Sequence, residues 1–181
     1  MRMKPTSKAV GASAARSARD HARRVDLVLQ YATRRAGLPA RASLARWMSA
    51  ALLRRAAVTV RFVGRDEGRR LNRAYRGRDH ATNVLTFSYG RNGNGAIAGD
   101  IVLCAPVVAH EARTQGKPLR AHYAHLAVHG ALHLQGYDHD RARDAEKMER
   151  RETRILRDLG FPDPYRVNNI PSGRHQRLGG E

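Results

Sequence analysis

Histidine spacing between positions 129 and 139 restricts this chain to folds that bring three imidazoles together. His129 and His133 are four residues apart, so in a helix their rings project from one face and can bind one ion at about 2.0–2.1 Å. Gly136 can end that helix in a left-handed conformation, and the turn can return His139 to the same face. Three neutral imidazoles leave a fourth coordination position open, as in catalytic zinc sites. The spacing therefore predicts one zinc ion, bound by the three histidines at the end of a helix.

The same spacing occurs in the metzincin proteases, whose motif is H-E-x-x-H-x-x-G-x-x-H. In those enzymes the glutamate takes a proton from the zinc-bound water. This chain has Gly130 at that position, so peptide hydrolysis would lack its general base. A metalloprotease is therefore the least favoured of the functions that the histidines allow.

Apolar patterning predicts an α+β domain with one sheet. Four short segments have the apolar pattern of β-strands, and the apolar residues after Pro106 recur at helical spacing. About four strands and about five helices, with the strands completed first, predict a single sheet packed against helices. Ser43 and Asp66 are expected to cap the first two helices. The predicted strands lie near residues 25–31, 58–62, 83–87 and 100–104, and the predicted helices end near residues 52, 75, 115, 134 and 159.

An excess of positive charge indicates a polyanionic partner. The chain carries 34 basic and 16 acidic residues, a formal net charge of +18. A field of this sign attracts nucleic acid, and the planar arginine side chain binds phosphate oxygens in pairs. An anionic membrane is less favoured because the basic residues do not lie along one amphipathic helix. No apolar run approaches the roughly 18–20 residues of a membrane span.

Composition divides the chain into one domain and two termini. Residues 1–24 are rich in Ala, Ser and Arg and predict a disordered basic extension, residues 25–167 predict one domain, and residues 168–181 predict a flexible tail. The single cysteine, Cys104, excludes an internal disulfide and is expected to be a buried strand residue. We therefore expect a cytoplasmic protein, with organellar targeting by the basic extension as the alternative.

Three sequence blocks carry a resemblance to a known family. The first, at residues 129–139, is HGALHLQGYDH, which matches the signature H-G-x-L-H-L-x-G-Y-D-H at every fixed position. The others are LNRAYRGRDHATNVLTF at residues 71–87 and GDIVLC at residues 99–104. With these blocks the chain resembles the YbeY family of rRNA maturation factors, which are metal-dependent endoribonucleases. Two small departures are Asn83, where aspartate is frequent, and Thr86, where serine is usual.

The resemblance implies a zinc-dependent endoribonuclease that cleaves single-stranded RNA. It implies maturation of the 3′ end of 16S ribosomal RNA and a part in ribosome quality control. The implied partners are ribosomal RNA and the small ribosomal subunit, with ribosomal proteins or an assembly GTPase as further ones. The family's metal ligands correspond to His129, His133 and His139, and its essential arginine corresponds to Arg76 in a Tyr-Arg-Gly triplet.

The chemistry of these residues agrees with the implied activity. A zinc-bound water has its pKa lowered to about 7, so it ionises at neutral pH without a carboxylate base. An arginine such as Arg76 can stabilise the charge that develops on a phosphate during cleavage. The alternative is a non-catalytic, zinc-stabilised RNA-binding assembly factor. Three histidines without a fourth protein ligand favour an enzyme over that alternative.

Overall fold

A four-stranded sheet forms the framework of the protein in the computed structural model, which describes residues 25–139 and 141–166. The predicted basic extension, 1–24, and the predicted tail, 168–181, lie outside the described residues. The strands are β1 (Val25–Tyr31), β2 (Ala56–Val63), β3 (Val84–Arg91) and β4 (Ile97–Cys104). Their order is β1-β2-β4-β3, in which β1, β2 and β4 are parallel and β3 is antiparallel to β4. The strand β3 therefore lies at one edge of the sheet.

Five helices accompany the sheet in the described part of the chain. They are α1 (Arg41–Ala51), α2 (Arg65–Arg76), α3 (Ala105–Thr114), α4 (Leu119–Leu134) and α5 (Ala142–Asp158). The central helix is α4, which contacts α1, α3, α5 and the strands β3 and β4. None of these helices combines the length and the apolar character that crossing a membrane requires. The predicted α+β class, with one sheet of four strands and five helices, is confirmed.

The two faces of the sheet carry separate apolar clusters. In β4, Ile101 and Leu103 belong to the main core with α4, whereas Val102 and Cys104 pack with Leu71 of α2 on the opposite face. This alternation follows from the period of two in a β-strand. Cys104 is 1% exposed, which confirms its prediction as a buried strand residue. The helices α4 and α2 therefore lie on opposite faces of the sheet.

A glycine allows α4 to lie close to the sheet. A Cβ atom at Gly130 would lie only 2.7 Å from Cδ1 of Ile101 in β4, closer than real Cβ contacts come. The helix position that carries the glutamate in metzincin proteases therefore faces β4 in this protein. Any side chain at Gly130, including a glutamate, would therefore require Ile101 to shift.

Two helices begin before the residues expected to cap them. The helix α1 begins at Arg41 and α2 begins at Arg65, and neither preceding residue makes a side-chain hydrogen bond to its helix. Ser43 and Asp66 therefore lie inside the first turns, and both N-cap predictions are wrong. Asp66 instead places a negative charge near the positive end of the α2 dipole, a position that stabilises a helix without capping it.

Candidate metal centre

The three predicted histidine ligands meet beside the C-terminal end of α4. His129 and His133 are one helical turn apart, and their Nε2 atoms lie 3.0 Å from each other. The helix ends at Leu134, and Gly136 takes a left-handed conformation with a φ of 85°. The turn places the ring centroid of His139 at 5.6 Å from that of His129 and 5.0 Å from that of His133. One donor nitrogen from each residue lies within 4.8 Å of the other two.

This arrangement fits a single transition-metal ion. Two nitrogens 3.0 Å apart, as in His129 and His133, can both lie about 2.0–2.1 Å from one ion. Burial and the neighbouring rings of His129 and His139 lower the pKa of His133 to about 4, so its imidazole is neutral at pH 7 and keeps a lone pair. His139 is exposed, which leaves one side of the group accessible to a substrate. Three imidazoles could hold a metal ion and leave a fourth coordination position open.

A buried carboxylate orients the first of these histidines. Glu152 lies on α5 with none of its side chain exposed, and Nδ1 of His129 lies 2.8 Å from its Oε1 atom. Because an ionised carboxylate only accepts hydrogen bonds, His129 carries its proton on Nδ1. The lone pair of its Nε2 atom is then free for a metal.

Two further donors hold the Glu152 carboxylate. Nε2 of His125 lies 3.0 Å from its Oε2 atom, and the hydroxyl of Tyr165 donates to the same oxygen. Burial raises the pKa of Glu152, but hydrogen bonds from His125, His129 and Tyr165 outweigh it and lower that pKa to about 2. His125, His129 and Glu152 also lie close enough together to bind a metal. A carboxylate that already accepts three hydrogen bonds is better explained as the support of His129.

Glu152 is a site residue that the motif-based prediction missed. Its signal in the sequence is its place on the apolar stripe of α5, where Met148 and Ile155 are buried with it. A carboxylate on such a stripe is costly to bury unless it is hydrogen-bonded, so it predicts polar partners on the facing helix. The spacing of the apolar residues in α5 does not by itself show that those polar partners include a histidine of the metal site.

Arg76 lies in the same cavity as the three histidines. It is the last residue of α2, where Gly77 ends the helix with a φ of 67°. The cavity has a volume of about 360 Å³ and extends around the β3 edge, where Thr86 also lines it. Within the described ranges no carboxylate pairs with Arg76, whereas Arg69 pairs with Asp79 at 2.6 Å. The structure therefore places the predicted arginine beside the predicted metal ligands.

Two other residues near the motif, His122 and Glu111, form a separate network. Nε2 of His122 lies 2.7 Å from Oε2 of Glu111, and the side-chain amide of Asn83 donates to the same oxygen over 2.9 Å. His122 is 4% exposed and is not part of either candidate metal group. The network joins α3 and α4 to the residue that precedes β3, so it supports one wall of the cavity.

These features define an α+β protein with an open three-histidine metal centre and an arginine in the same cavity. The model of the family Endoribonuclease YbeY matches residues 36–160 of the chain. The chain therefore belongs to the Endoribonuclease YbeY family, as its sequence blocks predict.

Individual relatives show how far this similarity extends. Endoribonuclease YbeY of Cupriavidus pinatubonensis is 58% identical over 138 residues, which cover 76% of this chain and 69% of the relative. Endoribonuclease YbeY of Ralstonia nicotianae is 56% identical over 146 residues, which cover 78% of each protein. A solution structure of a Thermotoga maritima protein is 24% identical with a TM-score of 0.48, covering 77% of this chain and 99% of the other.

Proposed function

We propose that this protein is a zinc-dependent endoribonuclease that cleaves single-stranded ribosomal RNA. The observation that supports the proposal is the shared cavity of about 360 Å³, which three imidazoles and Arg76 line together. A bound cation and a guanidinium can each stabilise the charge that develops in phosphodiester cleavage. The chain also belongs to a family whose model is named for endoribonuclease activity.

Each side chain has a separate part in the proposed reaction. His129, His133 and His139 would hold the ion, which supplies a Lewis acid when bound. The guanidinium of Arg76 would donate paired hydrogen bonds to the non-bridging oxygens of the phosphate and offset the negative charge that they gain in the transition state. Glu152 keeps the proton of His129 on Nδ1 and so keeps Nε2 available as a ligand.

Charge favours an RNA substrate over a peptide. The chain carries a net charge of +18, and Arg73, Arg76 and Arg78 lie in or beside the last turn of α2. A positive field captures a polyanion at long range, whereas an unselected peptide gains little from it. In this proposal the substrate is the 3′ region of 16S ribosomal RNA on the small subunit. The protein acts in the cytoplasm, contributes to ribosome quality control, and meets ribosomal proteins or an assembly GTPase there.

One experiment separates this proposal from the two alternatives. Purified protein is incubated with circular single-stranded RNA, with duplex RNA of the same sequence and with casein, each with and without a chelator. We expect cleavage of the circle alone, and only without chelator, because a circle offers no end to an exonuclease. His133→Ala should abolish cleavage, while His110→Ala, an exposed histidine outside the metal groups, should not.

The remaining outcomes identify a different function. A zinc-loaded protein that binds the circular RNA and leaves it intact would be a non-catalytic assembly factor. Chelator-sensitive degradation of casein would indicate a metalloprotease. If a linear single-stranded RNA of the same sequence, incubated in parallel, is degraded while the circle stays intact, the protein is an exonuclease.

A further inference from the structure

Three aromatic rings lie together on one face of β3. Tyr75 of α2 packs edge-on against Phe87, with ring centroids 4.9 Å apart and ring planes at 68°. The register of β3 shifts between Ser88 and Arg91, so spacing alone does not place Tyr89. Phe87 pairs with Asp100 of β4, and the hydroxyl of Tyr89 donates to Oδ2 of the same Asp100, so both rings lie on the face that carries Asp100. Tyr75 is 64% exposed and Tyr89 is 63% exposed. We call Tyr75, Phe87 and Tyr89 the aromatic shelf.

The two exposed tyrosines are not part of the apolar core on this face of the sheet. The apolar cluster on this face is built from Val63, Leu85, Val102 and Cys104, and Phe87 packs at its margin. The hydroxyl of Tyr89 donates to Oδ2 of Asp100 over 2.8 Å, which holds the ring in one orientation without burying it. A ring that is already ordered loses little conformational entropy when a ligand stacks on it.

The aromatic shelf is continuous with the cavity of the metal centre. Leu85, Phe87 and Tyr89 follow one another on the same face of β3, and Leu85 lines the cavity. The strand advances about 14 Å from Leu85 to Tyr89, at about 3.4 Å per residue. On α2, Arg76 lines the cavity and Tyr75 directly precedes it. A strand of RNA with a phosphate at Arg76 would therefore lie next to the shelf.

On the basis of the proposed function, we propose that the aromatic shelf is a nucleobase-binding subsite on which bases beside the cleaved phosphodiester stack. Every base has a π-face, so stacking on aromatic side chains tolerates any sequence. The bases of a duplex are already stacked on each other, and only unpaired bases can reach a protein ring. The shelf therefore selects single-stranded RNA, and the adjacent Arg76 complements the charge of its phosphates.

Binding to matched oligomers tests whether the shelf recognises bases. The probes are a short fluorescent single-stranded 2′-O-methyl RNA and an abasic oligomer of the same length, each titrated with the zinc-loaded protein. Tyr75→Ala and Tyr89→Ala should each weaken binding of the base-containing probe about tenfold and leave the abasic probe unchanged. Tyr75→Phe and Tyr89→Phe keep the rings and should retain most of the affinity. The control is Val28→Ala on β1, at the opposite edge of the sheet, where Val28 is 53% exposed.

Two results would overturn the proposal that the aromatic shelf binds nucleobases. One is wild-type affinity of both alanine variants for the base-containing probe. The other is an equal loss of affinity for both probes, which would make the tyrosines supports of the phosphate site.

Cleavage of single-stranded RNA by the wild-type protein separates this inference from the proposed function. A wild-type protein that cleaves, with alanine variants that have raised KM values, supports both. If the wild-type protein cleaves and the alanine variants have an unchanged KM, the proposed function stands and the aromatic shelf does not bind nucleobases. A wild-type protein that does not cleave RNA overturns the proposed function. The titrations with the two binding probes then test independently whether the aromatic shelf binds nucleobases.

Discussion

The Nδ1 atom of His129 donates a hydrogen bond to Oε1 of Glu152 over 2.8 Å, although 23 residues separate the two in the sequence. The carboxylate is completely buried and accepts two further hydrogen bonds, from His125 and Tyr165. A metal-site histidine whose second nitrogen is held by a carboxylate has a defined tautomer and ring orientation. The metal centre therefore extends from α4 into α5.

Glu152→Gln should weaken zinc binding roughly 10–100-fold, because the amide of glutamine no longer enforces a proton on Nδ1 of His129. Competition with a chromophoric zinc chelator measures the affinity, and circular dichroism checks the helices. Glu149→Gln, an exposed position on the same helix, is the control and should bind zinc as the wild type does. Equal affinities in the two variants would show that the carboxylate does not support the metal centre.

His133→Ala should remove the metal, because two imidazoles provide too few ligands for a tetrahedral site with one open position. Elemental analysis of the purified wild type should find one zinc ion per chain, and the variant should contain almost none. His110→Ala keeps all three candidate ligands and should retain the wild-type content. Full zinc content in His133→Ala would show that the ligand assignment is wrong.

Arg76→Ala should keep the zinc and the fold but slow RNA cleavage about 10²–10³-fold, since one preorganised transition-state donor is lost. Arg76→Lys should restore only part of the rate, because a point charge cannot make the paired contacts of a guanidinium. Arg73→Ala is the matched control, because Arg73 lies in the same helical turn but outside the cavity. Initial rates on one single-stranded RNA provide the measurement. Equal rates in the two alanine variants would assign Arg76 no part in cleavage, and loss of zinc in Arg76→Ala would make its role structural.

RNA affinity should fall steeply as salt rises, because each neutralised phosphate releases counterions. A titration of single-stranded RNA over a series of salt concentrations gives the slope of log affinity against log salt. Deleting residues 1–24 should flatten this slope if the basic extension contacts RNA. An affinity that stays level across the series would contradict a charge-driven interaction.

Glu111 should stabilise the fold at neutral pH and lose that effect in acid. Burial raises the pKa of Glu111, but hydrogen bonds from His122 and Asn83 outweigh it and hold that pKa below its ordinary value of 4.5. A carboxyl with a lowered pKa in the folded state stabilises it above the unfolded pKa, and the contribution disappears as pH falls through the folded pKa. Urea unfolding of the wild type and Glu111→Gln should therefore differ at pH 7, and the difference should shrink as the pH falls below about 4.3, the pKa of an unfolded glutamate. A difference that grows in acid would contradict this sign.

The family similarity and the local chemistry of the site can be predicted from the sequence. The period of an α-helix places His129 and His133 on one face whatever the rest of the chain does, and Gly136 permits the turn to His139. Alternating apolar residues likewise predict the four strands. The predicted caps at Ser43 and Asp66 are wrong: both helices have their N-cap positions earlier, at Ala40 and Gly64, without a side-chain cap, because tertiary packing and not a local capping signal sets their starts.

Contacts between distant segments depend on the tertiary structure. The resemblance names Arg76, but only the fold shows that α2 brings it around the β3 edge into the cavity that the histidines line. No local sequence pattern indicates the partner of His129 in α5, the strand order β1-β2-β4-β3 or the aromatic shelf. Helix and strand periods depend on residues within about four positions, so the sequence displays them directly. The position of one element against another depends on how the whole core packs, and only the folded structure contains that information.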